Sequence, residues 1–425
     1  MNRPQLVNRF ILIFVIVFSL LFLRSWHLIG PISFRNATAI VLFAFAVIRY
    51  RKMILTSNAK LYFVWVLIYV LLCCINGGIY SGAVITNLVA YHFVSLILLF
   101  SLPILLKKKT DLDILAVVFL FLFIFNCILT IMQFFNIEMG WAIGEFISPM
   151  KEDKIDELAY VGQGEETMLF HSMANGINGF VVTNGHFVAC FLPFATYTLW
   201  KKGISNFMLG ILVLLLALVS IVAIQQRMAL VVWLLYVLIL AFFRVGKLAK
   251  ISIAFLFVVL SIYITSVDIP LEMFGRLSMT DDNRRYMVID KFMEFISNTS
   301  NFMFGHPATE KVADEEMLLT IGHVSILDGM RRGGIICFLL HIYLFFSVLV
   351  ECIRIIRKSK KVGNYYSVGF AICVILNLMY SLTHSDGITS GSVFLWGSYS
   401  LMVVSQRVFV KNSLENHNSG KLLAK

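Results

Sequence analysis

The residues best suited to chemistry gather late in the chain, in Gly322-His-Val-Ser-Ile-Leu-Asp-Gly-Met-Arg-Arg-Gly-Gly334. An imidazole near its ordinary pKa of about 6.5 accepts a proton at neutral pH, so His323 is a candidate general base. Arg331 and Arg332 follow in the same stretch, with Asp328 between them and the histidine. Arg276, Arg284 and Arg285 lie upstream, and Arg227 stands in Gln225-Gln226-Arg227-Met-Ala between two apolar runs. Arginine grips phosphate by two parallel donors and keeps its charge in any protein setting, which makes these residues candidates for an anionic group. Plainer readings stand beside these. His323 is then an ordinary loop histidine, Asp281 and Asp282 pair with their neighbouring arginines, and Arg227, Arg331 and Arg332 snorkel at a membrane boundary. Asp281-Asp282 and Asp314-Glu315-Glu316 offer carboxylates to a divalent ion, but carboxylate pairs alone do not define a metal site.

The elements that must hold these residues follow from composition. The chain has 425 residues, 59% of them hydrophobic and 14% charged, with a mean hydropathy of +0.86. That is more apolar surface than a soluble core uses. Crossing a hydrocarbon layer of about 30 Å takes about 20 helical residues, and helices satisfy their own backbone hydrogen bonds in lipid. The expectation is an all-α polytopic membrane protein of about twelve transmembrane helices, over 9–26, 33–48, 61–76, 84–106, 114–136, 179–200, 206–225, 228–243, 251–267, 334–352, 365–383 and 393–410. With both termini on the cytoplasmic side, that side collects most of the 35 basic residues and few of the 24 acids, as the positive-inside rule asks. The net charge of +11 is thus an orientation signal. Nothing in it has the aromatic-basic interleaving of a nucleic-acid surface.

Two loops on the outer side exceed what helix pairs need, 138–178 and 268–333, and unusually long loops are often functional. The first is acidic and reads as a solvated or sugar-facing surface. In the second, Ile289, Phe292, Met293 and Ile296 make one apolar helical face, a short helix that would lie on the membrane or on the bundle. The seven cysteines fall within or at the ends of apolar runs and form neither a disulfide framework nor a zinc pattern. No cleavable signal peptide is evident, and no repeat or Gly/Ser linker divides residues 1–425, which read as a single integral membrane domain.

Taken in order, these residues resemble the bacterial O-antigen and capsule repeat-unit polymerases and O-antigen ligases (Wzy/WaaL-like). In that family a histidine shortly before a late span stands in a pattern like H-N-x-x-L, with a glycine eleven residues on that opens the span. Here His323 is followed by Leu327 and Gly334, with Val324 at the asparagine position and Cys337 where a further glycine is usual. Gln226-Arg227 looks like the family's S-R or T-R pair. Arg285, an amphipathic stretch and Phe304-Gly305-His306-Pro307 look like the loop arginine, its helix and the closing glycine, with Arg284 as runner-up. Thr183-Asn184-Gly185 is similar to the N-P-N segment, with Gly185 in place of proline, and no arginine lies between Lys154 and Lys201 where many members carry one.

The resemblance implies a metal-independent glycosyltransferase of the cytoplasmic membrane, without cofactor, acting on the extracytoplasmic side. Its donor and acceptor would be undecaprenyl-diphosphate-linked oligosaccharides, polymerised into O-antigen, capsule or exopolysaccharide. His323 would be the catalytic base, Arg227, Arg285, Arg284 and Arg276 the diphosphate ligands, and Asn184, Arg331, Arg332 and Asp328 further substrate contacts. A chain-length regulator and a flippase are the protein partners it suggests. Within the class, O-antigen ligase, with lipid A-core as acceptor, is the alternative. From a different class, a polysaccharide flippase would place ionisable residues inside the spans and show repeated halves.

Overall fold

The computed structural model describes residues 3–22, 26–29, 32–49, 56–75, 92–148, 174, 176, 181–197, 204–242, 282–306, 324–382, 387–388 and 391–423. Among them the chain is helical apart from one short antiparallel hairpin, β1 (His27–Ile29) with β2 (Ile32–Ser33). The helices are α1 (Arg3–Leu21), α2 (Phe34–Arg49), α3 (Ser57–Ile75), α4 (Val94–Leu105), α5 (Lys109–Phe134), α6 (Glu138–Ile147) and α7 (Val181–Ala195). They continue with α8 (Ile204–Ile224), α9 (Arg227–Phe242), α10 (Asp282–Ser297), α11 (Thr299–Phe304), α12 (Ser325–Val362), α13 (Tyr365–Tyr380) and α14 (Val393–Leu423).

Among the described residues three segments are long and apolar enough to cross a membrane: α5, α8 and Gly333–Val362 of α12. Six shorter apolar helices lie in α1, α2, α3, α4, α9 and α13. The expected span over 251–267 lies outside the described residues, as does most of the acidic loop. That loop opens with α6, which was not expected, and Glu138 and Glu145 on it are exposed.

Beside an apolar core, burial departs from that of a soluble protein in two ways. Polar Asn126, Thr130, Gln133, Asn184, His186 and His341 are fully buried, while rows of large apolar residues face outward. On α8, Met208, Leu212, Leu215 and Val219 recur at helical spacing and are each about half exposed. Uncharged rows of this kind suit lipid, where apolar surface costs nothing to expose.

Where the sequence shows no linker, the chain divides into two compact units, Met1–Thr38 with Ala116–Asp281, and Ala39–Leu115 with Asp282–Lys425. Two of the three divisions fall within α2 and α5, where no Gly/Ser stretch would mark them, and the third falls at the start of α10.

In the first unit α7 is the core helix, its residues from Asn184 to Ala195 all buried, and α8 and α9 pack on it. Phe187 meets Phe22 edge-on at 5.3 Å and Phe119 lies 5.0 Å from Phe191. Such pairs add about 0.5–1.5 kcal/mol beyond area burial. The hairpin is fastened by Trp26, whose indole N–H donates to the Ile147 carbonyl at 2.8 Å.

The second unit is built from α12, α13 and α14 with α3 and α4. Short hydroxyls bridge the helices: Ser95 donates to the Gly391 carbonyl at 2.6 Å and Ser400 to that of Leu98 at 3.0 Å. Tyr62 stacks on Trp396 with ring centroids 4.0 Å apart. Gly363, left-handed, ends α12, and the Asn364 side chain caps α13 by accepting from Ser367 N–H. At the other end of α13 the Ser381 carbonyl accepts from the N–H of Ser325, the first residue of α12. The basic cluster around Arg354 to Lys361 and the start of α12 therefore lie at opposite ends of α13, as the charge pattern leads one to expect.

Candidate functional site

The end of the second unit that carries Ser325 holds the late-loop residues. α12 is one helix only nominally. Gly333 (φ −150°, ψ 25°) and Gly334 (φ 61°, ψ −160°) leave helical geometry, so a short arm from Ser325 precedes the long membrane-length segment. This is the entry glycine expected from sequence. α10 and α11 dock on that arm: Phe295 and Met330 are buried together, with Phe292, Ile296, Phe302, Leu327, Ile335 and Phe338 packed around them. The apolar face is shifted from the expected one, since Phe295 replaces Met293, which is 58% exposed. The Ile289 side chain lies outside the described residues.

Asn298 caps α11 by accepting from Ser300 and Asn301 N–H. Gly305 ends it at φ 74°, and the next residue, His306, donates its N–H to the Arg331 carbonyl at 2.6 Å. A Cβ on Gly334 would collide with the Met303 carbonyl oxygen, and one on Gly305 would lie 2.7 Å from the amide nitrogens of Gly333 and Gly334. Two left-handed glycines thus let the end of α11 and the bend of α12 interlock, because only glycine adopts these angles without cost.

Arg331 and Asp328 form a pair. The Arg331 Nε and Nη2 donate to Asp328 Oδ1 at 2.7 and 2.5 Å, with Asp328 fully buried and Arg331 8% exposed. At i, i+3 on one turn the two charges neutralise each other inside the protein. His323 and Arg276 lie outside the described residues. Arg284 and Arg285 are on the first turn of α10, and Arg332 is beside Gly333, but their side chains lie outside the described ones.

In the first unit two of the expected residues occupy one end. Asn184, on the first turns of α7, is fully buried in an amide network. Its Oδ1 accepts from Asn126 Nδ2 at 2.8 Å, and its Nδ2 donates to Thr130 Oγ1 at 3.0 Å and the Ala174 carbonyl at 3.2 Å. Gln133 continues it, accepting from Gly176 N–H at 2.8 Å and donating to the Gly140 and Gly176 carbonyls. The network clasps residues 174 and 176 of the first long loop. Asn126, Thr130 and Gln133 were not singled out from sequence, although i, i+4, i+7 polar residues in an apolar helix are a readable signal.

Gly185, next to Asn184, packs so closely on Gln226 that a Cβ there would overlap its Oε1. Gln225 is left-handed (φ 59°) and turns the chain from α8 into α9 within two residues. Arg227 is the first residue of α9. Its Nε and Nη2 are shut off from solvent and, among the described residues, have no hydrogen-bond partner. No acid stands in the first turn of α9 to offset it. A guanidinium and the free amides of a helix N-terminus at one place favour an anion.

Among the described residues no group of three or more His, Cys, Asp and Glu comes together to hold a metal ion. The described cysteines, Cys127, Cys190, Cys337, Cys352 and Cys373, are buried free thiols. The chain matches no known family model, and no curated protein sequence matches it either.

Proposed function

We propose that the chain is a membrane glycosyltransferase that polymerises undecaprenyl-diphosphate-linked repeat units into O-antigen, capsule or exopolysaccharide. The observation that carries this reading is Arg227, at a helix N-terminus, whose Nε and Nη2 are buried and have no hydrogen-bond partner among the described residues. A lipid-linked diphosphate supplies such an anion at a membrane boundary.

In this reading an acceptor sugar hydroxyl attacks the anomeric carbon of the donor. The new C–O bond forms as the bond to the diphosphate breaks, the hydroxyl proton passes to His323, and the lipid diphosphate leaves with both electrons of the broken bond. Arg227, with Arg285 or Arg284 and Arg276 from the late loop, neutralises the charge gathering on the leaving group. Asn184 sits on the turn before Gly185 and Gln226, and its role is to set the end of α7 against Arg227. Arg332 is a further phosphate contact. Arg331 and Asp328, already paired, act on the substrate through the arm they hold. The protein lies in the bacterial cytoplasmic membrane with both termini cytoplasmic and its site outside, where a flippase delivers the donor and a chain-length regulator sets product size. The same chemistry with lipid A-core as acceptor makes an O-antigen ligase.

The test gives purified protein a synthetic undecaprenyl-diphosphate repeat unit with no metal added. Growing chain length supports polymerase, and transfer only when lipid A-core is supplied supports ligase. Absence of glycosyl transfer to either acceptor removes the proposal. Full-length polymer from His323→Ala removes that residue from the base role, since loss of a general base costs about 10²–10⁴-fold.

A further inference from the structure

The outward face of α12 carries Ile336, Leu339, Tyr343, Phe346, Val350 and Ile353, each between 39 and 63% exposed, while Cys337, His341, Leu344, Val348 and Cys352 are buried on the opposite face. The exposed row repeats every three and four residues, so it forms one continuous strip along the helix. From Ile336 to Ile353 it runs about 26 Å at 1.5 Å per residue. That is close to the thickness of a bilayer's hydrocarbon layer, about 30 Å. The strip begins right after the Gly333–Gly334 bend and stops where exposed Arg354, Arg357 and Lys358 take over. The cations therefore stand within about one and a half turns of the apolar boundary, at the level of lipid phosphates.

Other segments bring charge to the same end. Ser359 of α12 accepts from Gln406 of α14 at 2.6 Å, Asp113 of α5 accepts from Tyr366 of α13 at 2.5 Å, and the Lys109 ammonium lies 6.0 Å over the Phe409 ring. Lys108 and Lys109 are exposed there. The described carboxylates of this end accept hydrogen bonds from neutral donors. Asp111 accepts from the Lys107 and Lys108 amides, Asp113 from the Tyr366 hydroxyl, and Glu351 from Asn58 and Tyr399.

We propose that this end of the second unit is a binding surface for anionic phospholipid, its headgroup phosphate held by Arg354, Arg357 and Lys358 while the acyl chains lie along the strip from Ile353 to Ile336. Two arginines and a lysine on successive outward positions offer more donors than a zwitterionic headgroup can use, and each cation near an anionic surface favours binding about fivefold. The inference rests on α12 crossing the membrane and is independent of any glycosyl transfer.

The full chain, purified into mixed micelles with equal phosphatidylglycerol and phosphatidylcholine, is passed over a column and its retained lipid counted by mass spectrometry. Phosphatidylglycerol is expected to be enriched about fivefold or more at low salt, and the enrichment should fall as salt screens the headgroup. Arg354→Gln/Arg357→Gln/Lys358→Gln should lose it, while Lys291→Gln, on exposed α10, should not. If the triple variant is not recovered as a monodisperse protein, Lys358→Gln alone should lower the enrichment. Equal retention of the two lipids by the unaltered chain, or enrichment unchanged by the substitutions, overturns the proposal.

Discussion

Arg331 receives the His306 N–H on its backbone carbonyl at 2.6 Å while its guanidinium is held by Asp328. One residue thus fastens the exit of α11 with its main chain and neutralises a buried acid with its side chain. Because the pair is internal, replacing one partner strands a buried charge. Asp328→Asn or Arg331→Leu should each cost about 3–5 kcal/mol, whereas Asp328→Leu/Arg331→Met together should cost less than either alone. Thermal unfolding of the purified variants reads this directly. Additive losses in the double variant would show that the two residues act separately.

Gly305 and Gly334 are the second fastening. Gly334→Ala places a Cβ against the Met303 carbonyl oxygen at φ 61°, ψ −160°, and the conformation alone costs about 1–3 kcal/mol in an L residue. The expected outcome is faster amide exchange across residues 299–306, with α13 and α14 unaffected. Uniform exchange at all of these positions would break the link between the bend and the docking of α11.

Arg227 separates function from stability. Arg227→Gln removes a cation that, among the described residues, has no hydrogen-bond partner on two of its nitrogens, so the melting temperature should stay level or rise. Affinity for a diphosphate-linked lipid should fall about 10- to 100-fold, the worth of a charge-assisted hydrogen bond. Arg227→Lys keeps the charge but not the paired donors and should recover only part of it. A marked drop in melting temperature for Arg227→Gln would show that the guanidinium is structural.

The amide network predicts the reverse pattern. Asn184→Asp still accepts from Asn126 but can no longer donate to Thr130 and the Ala174 carbonyl. Leaving those acceptors unmet should cost about 1–3 kcal/mol. Gln133→Ala should cost a similar amount and free residue 176 of the first long loop, seen as new proteolytic cleavage within 149–180. Cleavage unchanged in both variants would mean that the loop is held elsewhere.

How far these features could be read in advance depends on their range. The entry at Gly334, the tight turn before Arg227 and the amphipathic helix of the late loop are local or periodic, and so can be read from the chain. The face of α10 was displaced by one position. Ile289, Phe292, Met293 and Ile296 keep helical spacing, but so do Phe292, Phe295 and Ile296, and only Met330 and Leu327 opposite decide which is buried. The clasp of Gln133 on Gly176 spans 43 residues, and the Asp328 partner of Arg331 competes with readings in which that arginine faces a substrate. Long-range hydrogen bonds leave no periodic trace, so the clasp was not legible, whereas the Asp328–Arg331 pair, at i, i+3 on one turn, left a local signal that was read otherwise. About twelve spans were expected; among the described residues three helices reach full membrane length and six further apolar helices are shorter, α9 and α13 at 16 residues each among them.

The two-residue turn between α8 and α9 also constrains how the protein is made. A connection that short ties α8 and α9 into one hairpin, so neither helix can enter a bilayer without the other, and Arg227 is at the tip. Taking an arginine to the centre of a bilayer costs about 2.5–3.5 kcal/mol on the insertion scale, which the apolar length of α8 can offset. Shortening α8 should therefore lower the yield of inserted protein even where the folded packing is kept.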